Sequence, residues 1–119
     1  MWSLLVERTL NVARRVTSSR RLRRHQYQGV VRVAAHDPKL SGLARRGYLV
    51  VQMKGDRPTW LVMACPCRCA ELLRVNLMPS IEPHWNLLVK GDSVTVDPSL
   101  DVRSCGSHFW LRDSRVYWV

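Results

Sequence analysis

Tyr48-Leu49-Val50-Val51-Gln52-Met53, then Lys54-Gly55-Asp56-Arg57-Pro58, then Trp60-Leu61-Val62-Met63-Ala64 is the stretch on which the fold of this chain turns. Both apolar runs have strand length, and the Gly-Asp-containing segment between them suits a hairpin. Working outward, the same grammar recurs. Predicted strands cover residues 30–34, 48–53, 60–64, 72–77, 85–89, 94–96, 109–112 and 116–119, with Lys90-Gly91-Asp92 and Asp113-Ser114 as further turns. No helical spacing separates them, so the expectation is a mainly β domain: a small antiparallel sheet, sandwich or barrel. Trp60, Trp85, Trp110 and Trp118 fall on predicted strands and are expected to supply much of the core.

Toward the N-terminus the period changes. Trp2, Leu5, Val6, Thr9, Leu10, Ala13 and Val16 recur at three- and four-residue steps, which predicts an amphipathic helix over residues 2–16 with Arg8, Arg14 and Arg15 opposite. Ser18 to Arg24 reads as a charged linker. The chain of 119 residues, 46% hydrophobic, has room for one core. The expected organisation is therefore a basic helical arm and linker at 1–24 and a zinc-binding β domain at 25–119. The net charge of +10 is concentrated in the arm. Arg14, Arg15, Arg21 and Arg24 are its candidate contacts to an anionic partner, whether nucleic acid, an acidic protein surface or anionic lipid. No run approaches the ~18 apolar residues of a membrane span, and no secretory signal is evident, so a cytoplasmic, reducing setting is expected.

In that setting clustered cysteines read as metal ligands. Cys65-Pro66-Cys67-Arg68-Cys69 offers thiolates from one loop, and Cys105 with His108 offers a second pair three residues apart. A structural zinc takes four such ligands, commonly as two local pairs joined by the fold. Cys65, Cys67, Cys69, Cys105 and His108 are thus five candidates for four positions.

A catalytic zinc would need only three protein ligands, and Glu71, just past the loop, is then a candidate general base. Ser107 is a candidate nucleophile beside His108. His108 can act as a base only if the ligands are Cys65, Cys67, Cys69 and Cys105. His36 and His84 are further candidate bases. The deaminase pattern, His-Glu-x-x-His and a phosphate-binding glycine loop are all missing from the sequence.

Cys65-Pro66-Cys67-Arg68-Cys69, Glu71-Leu72-Leu73, Asn76-Leu77, Pro83-His84-Trp85, Cys105-Gly106-Ser107-His108-Phe109 and Arg115-Val116-Tyr117-Trp118 occur in that order. Together, over about residues 46–119, they resemble the bacterial domain-of-unknown-function family numbered 6527. That family usually has Cys-Pro-Cys-Gly-Cys-Gly, so Arg68 and Ala70 depart from its pattern. The resemblance implies a small zinc protein working beside a ubiquitin-like protein and its activating and conjugating enzymes, often in phage defence. The expectation is a peptidase that trims or deconjugates the modifier. The alternatives are a non-enzymatic zinc-stapled module that recruits modifier, conjugating enzyme or target, and a nucleic-acid binder acting through the arm.

Overall fold

A computed structural model of the chain describes residues 26–119. The helix expected at 2–16 and the arm ending at residue 24 lie outside the described residues. The elements run β1 (Val30–Ala34), α1 (Leu40–Arg45), β2 (Leu49–Lys54), β3 (Arg57–Ala64), β4 (Leu72–Asn76), β5 (Asn86–Lys90), β6 (Ser93–Val102), β7 (Ser107–Arg112) and β8 (Arg115–Trp118). They form two four-stranded sheets in the orders β1-β2-β3-β4 and β5-β6-β7-β8.

The continuous apolar runs in β2 and β3 are explained by burial on both faces. Leu49, Val51, Leu61 and Met63 face the second sheet and join Val94, Val96, Leu100, Phe109 and Leu111 in the main core. The intervening Val50 and Val62 point the other way and pack with Ala44, Leu40 and Leu43 of α1. The described residues are mainly β, a sandwich with one short helix laid on the outside of the first sheet.

Three expectations are corrected. The sheets are not wholly antiparallel, because β1 pairs with β2 in parallel, Val30 opposite Leu49, across the connection that holds α1. That helix escapes sequence reading because Leu40-Ser41-Gly42-Leu43-Ala44-Arg45 is too short to show a period and includes a glycine. The tryptophans supply less of the core than expected. Of the four tryptophans expected on strands only Trp85 is buried, at 5% exposure, while Leu, Val, Met63 and Phe109 fill the interior. Trp60 and Trp110 lie under the guanidinium groups of Arg74 and Arg112, at 4.3 and 4.6 Å. Trp118 meets Phe109 edge-on at 5.8 Å.

A bulge in the β6–β7 hairpin decides which side chains share a face there. Val96 pairs with Leu111 and Leu100 with Phe109, so residues 97–99 of β6 bulge against Trp110 alone. The strand then resumes with Asp101 opposite His108 and Val102 opposite Ser107. Side chains alternate between faces, so Val102 and Ser107 point into the sandwich while Asp101 and His108 point away from it.

Candidate metal centre and active site

Cys65 follows β3, Cys67 and Cys69 lie in the loop to β4, and Cys105 lies in the turn between β6 and β7. The loop is closed at its base by Cys65 N–H to the Glu71 carbonyl at 2.9 Å and turned by Arg68 N–H to the Cys65 carbonyl at 3.1 Å. Arg68 and Ala70 both adopt left-handed backbone, with φ of 69° and 71°. These are the positions where the related loop pattern has glycine, so the conformation is kept although the residue types that favour it are not. Tyr27, whose hydroxyl donates to the Ala64 carbonyl at 2.6 Å, buttresses the loop's entry.

The four cysteine sulfurs lie within 4.8 Å of one another. Cys65 Sγ is 3.5 Å from Cys67 Sγ and 3.6 Å from Cys105 Sγ. All four are free thiols. These separations are far longer than a disulfide bond, and they approach the roughly 3.8 Å edge of a tetrahedron built on metal–sulfur bonds of about 2.3 Å. Four sulfurs so placed, from two distant loops, could hold a metal ion.

Electrostatics point the same way. Hydrogen bonds from Cys105 and then Cys65 hold the Cys67 thiol far below its ordinary pKa, so its thiolate is the favoured negative charge. Cys65 is pushed strongly up, first through its hydrogen bond with Cys105. Burial raises Cys69 to about 11. A bound cation would favour all four as thiolates.

Of the five sequence candidates, His108 is the one held apart from this cluster. Its ring lies on the opposite face of β7, where Nε2 is 3.0 Å from Ser99 Oγ. Nδ1 is buried with no hydrogen-bond partner and faces Asp101 Oδ1 at 3.5 Å. Ser99 sits on the β6 bulge, its carbonyl held by the Trp85 indole N–H at 3.1 Å. A hydroxyl, an imidazole and a carboxylate thus stand in line, the histidine between the other two. The His108 and Asp101 side chains keep 22% and 26% of their surface, so the row is shielded yet reachable.

Neither Ser99 nor Asp101 is singled out by the sequence. The signal was there in weak form: Ser99 and Asp101 are alternate residues on one strand, facing a histidine on the next. It is hidden because Asp97-Pro98 reads as the end of a strand, whereas β6 continues past its bulge to Val102.

The other candidates are placed elsewhere. Ser107 is fully buried, and its Oγ lies 3.2 Å from Cys105 Sγ and 3.9 Å from Cys65 Sγ. The Glu71 carboxylate accepts a hydrogen bond from the Ser104 hydroxyl. His84 pairs with Glu82 at 2.8 Å, and His36 occupies a turn with φ of 69°. Arg14, Arg15, Arg21 and Arg24 lie outside the described residues. Among the described residues no helix is long and apolar enough to cross a membrane.

A family model described as bacterial ubiquitination-like system serine protease (BubE) matches residues 34–119. No curated protein and no solved structure matches the chain. The match agrees with the ubiquitin-like conjugation context of the sequence resemblance, under this description rather than under the number 6527. Since it spans most of the 119 residues, the chain belongs to the BubE family and is a component of a bacterial ubiquitination-like system.

Proposed function

We propose that the chain is a serine peptidase acting on the ubiquitin-like modifier of its system, with Ser99 as nucleophile, His108 as general base and Asp101 as the carboxylate that orients His108. The observation that carries this reading is the Ser99 Oγ to His108 Nε2 contact of 3.0 Å with Asp101 at the other ring nitrogen. Nucleophile, base and orienting group recur in this relation on unrelated folds and are recognised by geometry. The 3.5 Å contact between His108 and Asp101 is long for a hydrogen bond, as catalytic contacts often are before substrate binds. The description of the matching family supports the same reaction class.

In the reaction, Ser99 Oγ attacks the scissile carbonyl and its proton passes to His108 Nε2. His108 returns that proton to the departing amine, leaving an acyl ester on Ser99. Water, deprotonated by His108, then cleaves the ester and restores the serine. Asp101 stabilises the imidazolium formed on the way.

Zinc in this proposal is held by Cys65, Cys67, Cys69 and Cys105, and it fastens the β3–β4 loop to the β6–β7 turn. With four protein ligands it has no position for substrate, so its role is structural. Glu71 and Ser107 then lie beside the metal loop rather than in the reaction. Binding of an anionic partner is assigned in this proposal to Arg14, Arg15, Arg21 and Arg24 of the segment 1–24.

The test is incubation of the purified protein with the modifier carrying a C-terminal extension, read by mass spectrometry. Cleavage by the unaltered protein and its loss in Ser99→Ala, with fold and zinc content retained, is expected. Cleavage surviving in Ser99→Ala removes Ser99 from the mechanism. No cleavage by the unaltered protein favours the recruiting module, for which the exposed Leu88, Tyr117 and Val119 offer apolar contact area.

A further inference from the structure

Around Ser99 the second sheet has an edge with which no further strand of the described residues pairs. β5 pairs with β6 from Lys90 opposite Ser93 to Asn86 opposite Asp97, and there it ends. Past Asp97, β6 is paired among the described residues only with β7. The hydrogen bonds fix which way its peptide groups point. Val119 N–H donates to the His108 carbonyl at 3.0 Å, so His108 turns its backbone toward β8. The opposed pair Asp101 and His108 is therefore of the non-bonded kind, and the Asp101 N–H and C=O point away from β7, toward the side that β5 no longer covers. Two other bonds agree: the Val102 carbonyl accepts from Gly106 N–H at 2.8 Å on the β7 side, and the Ser99 carbonyl accepts from Trp85 on the β5 side.

Asp101 thus presents one backbone donor and one acceptor along an edge that starts at the candidate nucleophile. Trp85, which occupies the first position of that edge, also walls a pocket of about 260 Å³ with Trp60, Ile81 and Pro83, which Arg74, Asn76 and Glu82 line as well. An edge of this kind recognises extended peptide through its main chain, and an adjoining apolar pocket adds side-chain preference.

We propose that the edge of β6 from Ser99 to Asp101 is the substrate-docking strand. Its occupant is an extended, unfolded peptide segment that pairs with the Asp101 N–H and C=O, seats an apolar side chain between Trp60 and Trp85, and so brings its scissile carbonyl to Ser99. This rests on the serine-peptidase reading and adds to it a substrate class: peptide presented in extended conformation.

The test uses two covalent probes on the full chain with zinc bound. One is a simple alkyl fluorophosphonate, the other a tripeptidyl fluorophosphonate with leucine beside the phosphorus. In each, Ser99 Oγ forms a bond to phosphorus as fluoride leaves and the serine proton passes to His108. The expected result is labelling of Ser99 by both, at least tenfold faster by the peptidyl probe. Asp101 amide exchange, followed by NMR, should be at least tenfold slower in the peptidyl adduct than in the alkyl adduct. N-methylation of the peptide nitrogen facing Asp101 should erase the rate advantage. Equal rates and unchanged exchange overturn the docking strand while leaving the nucleophile in place. No labelling of Ser99 by either probe overturns the peptidase reading and this inference with it.

Discussion

Exchanging Arg68 and Ala70 for glycine should tighten the metal loop, against the usual rule that glycine weakens a folded protein. The two residues have φ of 69° and 71°, where a side chain crowds the following carbonyl. The left-handed conformation costs a non-glycine residue about 1–2 kcal/mol. Glycine brings an opposing penalty of about 0.4–1 kcal/mol, because its unfolded chain has more freedom to lose. The difference leaves a net gain of roughly 0.5–1 kcal/mol at each site, so about 1–2 kcal/mol for Arg68→Gly and Ala70→Gly combined, if the effects add. Ala70 is the cleaner position, since Arg68 also walls a neighbouring cavity that its side chain would leave. Two assays read the gain. Thermal unfolding with zinc in excess should rise by about 4–8 °C per kcal/mol, the scale for a domain of this size. Competition with a chromogenic chelator should show zinc held roughly five- to thirty-fold more tightly by the double variant, the same energy expressed as affinity. Ala35→Gly, at an exposed position without left-handed backbone, is the control and should lose stability. If Ala70→Gly is as destabilising as Ala35→Gly, the loop is not strained in the way its backbone indicates.

Asp101→Asn should leave fold and zinc unchanged and lower kcat by about a thousandfold or more, because an amide no longer selects the tautomer that His108 needs as a base; steady-state cleavage of the extended modifier checks it. Stripping the metal with a chelator should abolish reaction of Ser99 with a fluorophosphonate, and re-adding zinc should restore it, since Cys105 sits in the turn that sets the His108 pairing; labelling that persists in verified metal-free protein would contradict this. Tyr27→Phe should cost about 1 kcal/mol, the net worth of a single hydrogen bond, by removing the donor to the Ala64 carbonyl next to Cys65; denaturant unfolding measures it. Ser107→Ala should keep Ser99 reactive, with any loss appearing in zinc retention, because its Oγ faces Cys105 and Cys65.

The strands were legible because their apolar runs and turn residues are local signals. Residues 30–34 are predicted with the bounds that β1 shows, and most others start or stop within a few residues of the prediction. What depends on pairing was not legible. The parallel placement of β1 on β2 and the packing of α1 follow from Val50 and Val62 needing cover on the outer face, which no run of residues announces. The cysteines could be named from sequence, yet their company could not. Sequence spacing puts Cys105 and His108 together as a ligand pair, three residues apart. The turn at Gly106, with φ of 71°, and the start of β7 between them send the thiol and the imidazole to different faces. The same alternation separates Ser107 from His108, neighbours in sequence that cannot share a site on a strand. Ser99 and Asp101 were hidden for the complementary reason: they meet His108 only across a hairpin whose register a bulge decides.

That register is where the proposed metal site and the proposed reaction come together. The side chains of a strand alternate with period two, so a slip of one residue between β6 and β7 would carry His108 to the sulfur side and Ser107 to the outer face. A bulge lies immediately before Leu100, so pairing upstream of it does not by itself set the last three pairs, Leu100 to Phe109, Asp101 to His108 and Val102 to Ser107. Leu100 and Phe109 in the core oppose such a slip from one side. From the other side, the thiol of Cys105 is drawn toward Cys65 and Cys67 on a different sheet, and a cation binding all four would fix the turn that joins the two strands. A metal placed there has no need to touch substrate in order to matter for the reaction. Bound, it would hold the pairing in which a carboxylate, an imidazole and a hydroxyl line up on the outer face.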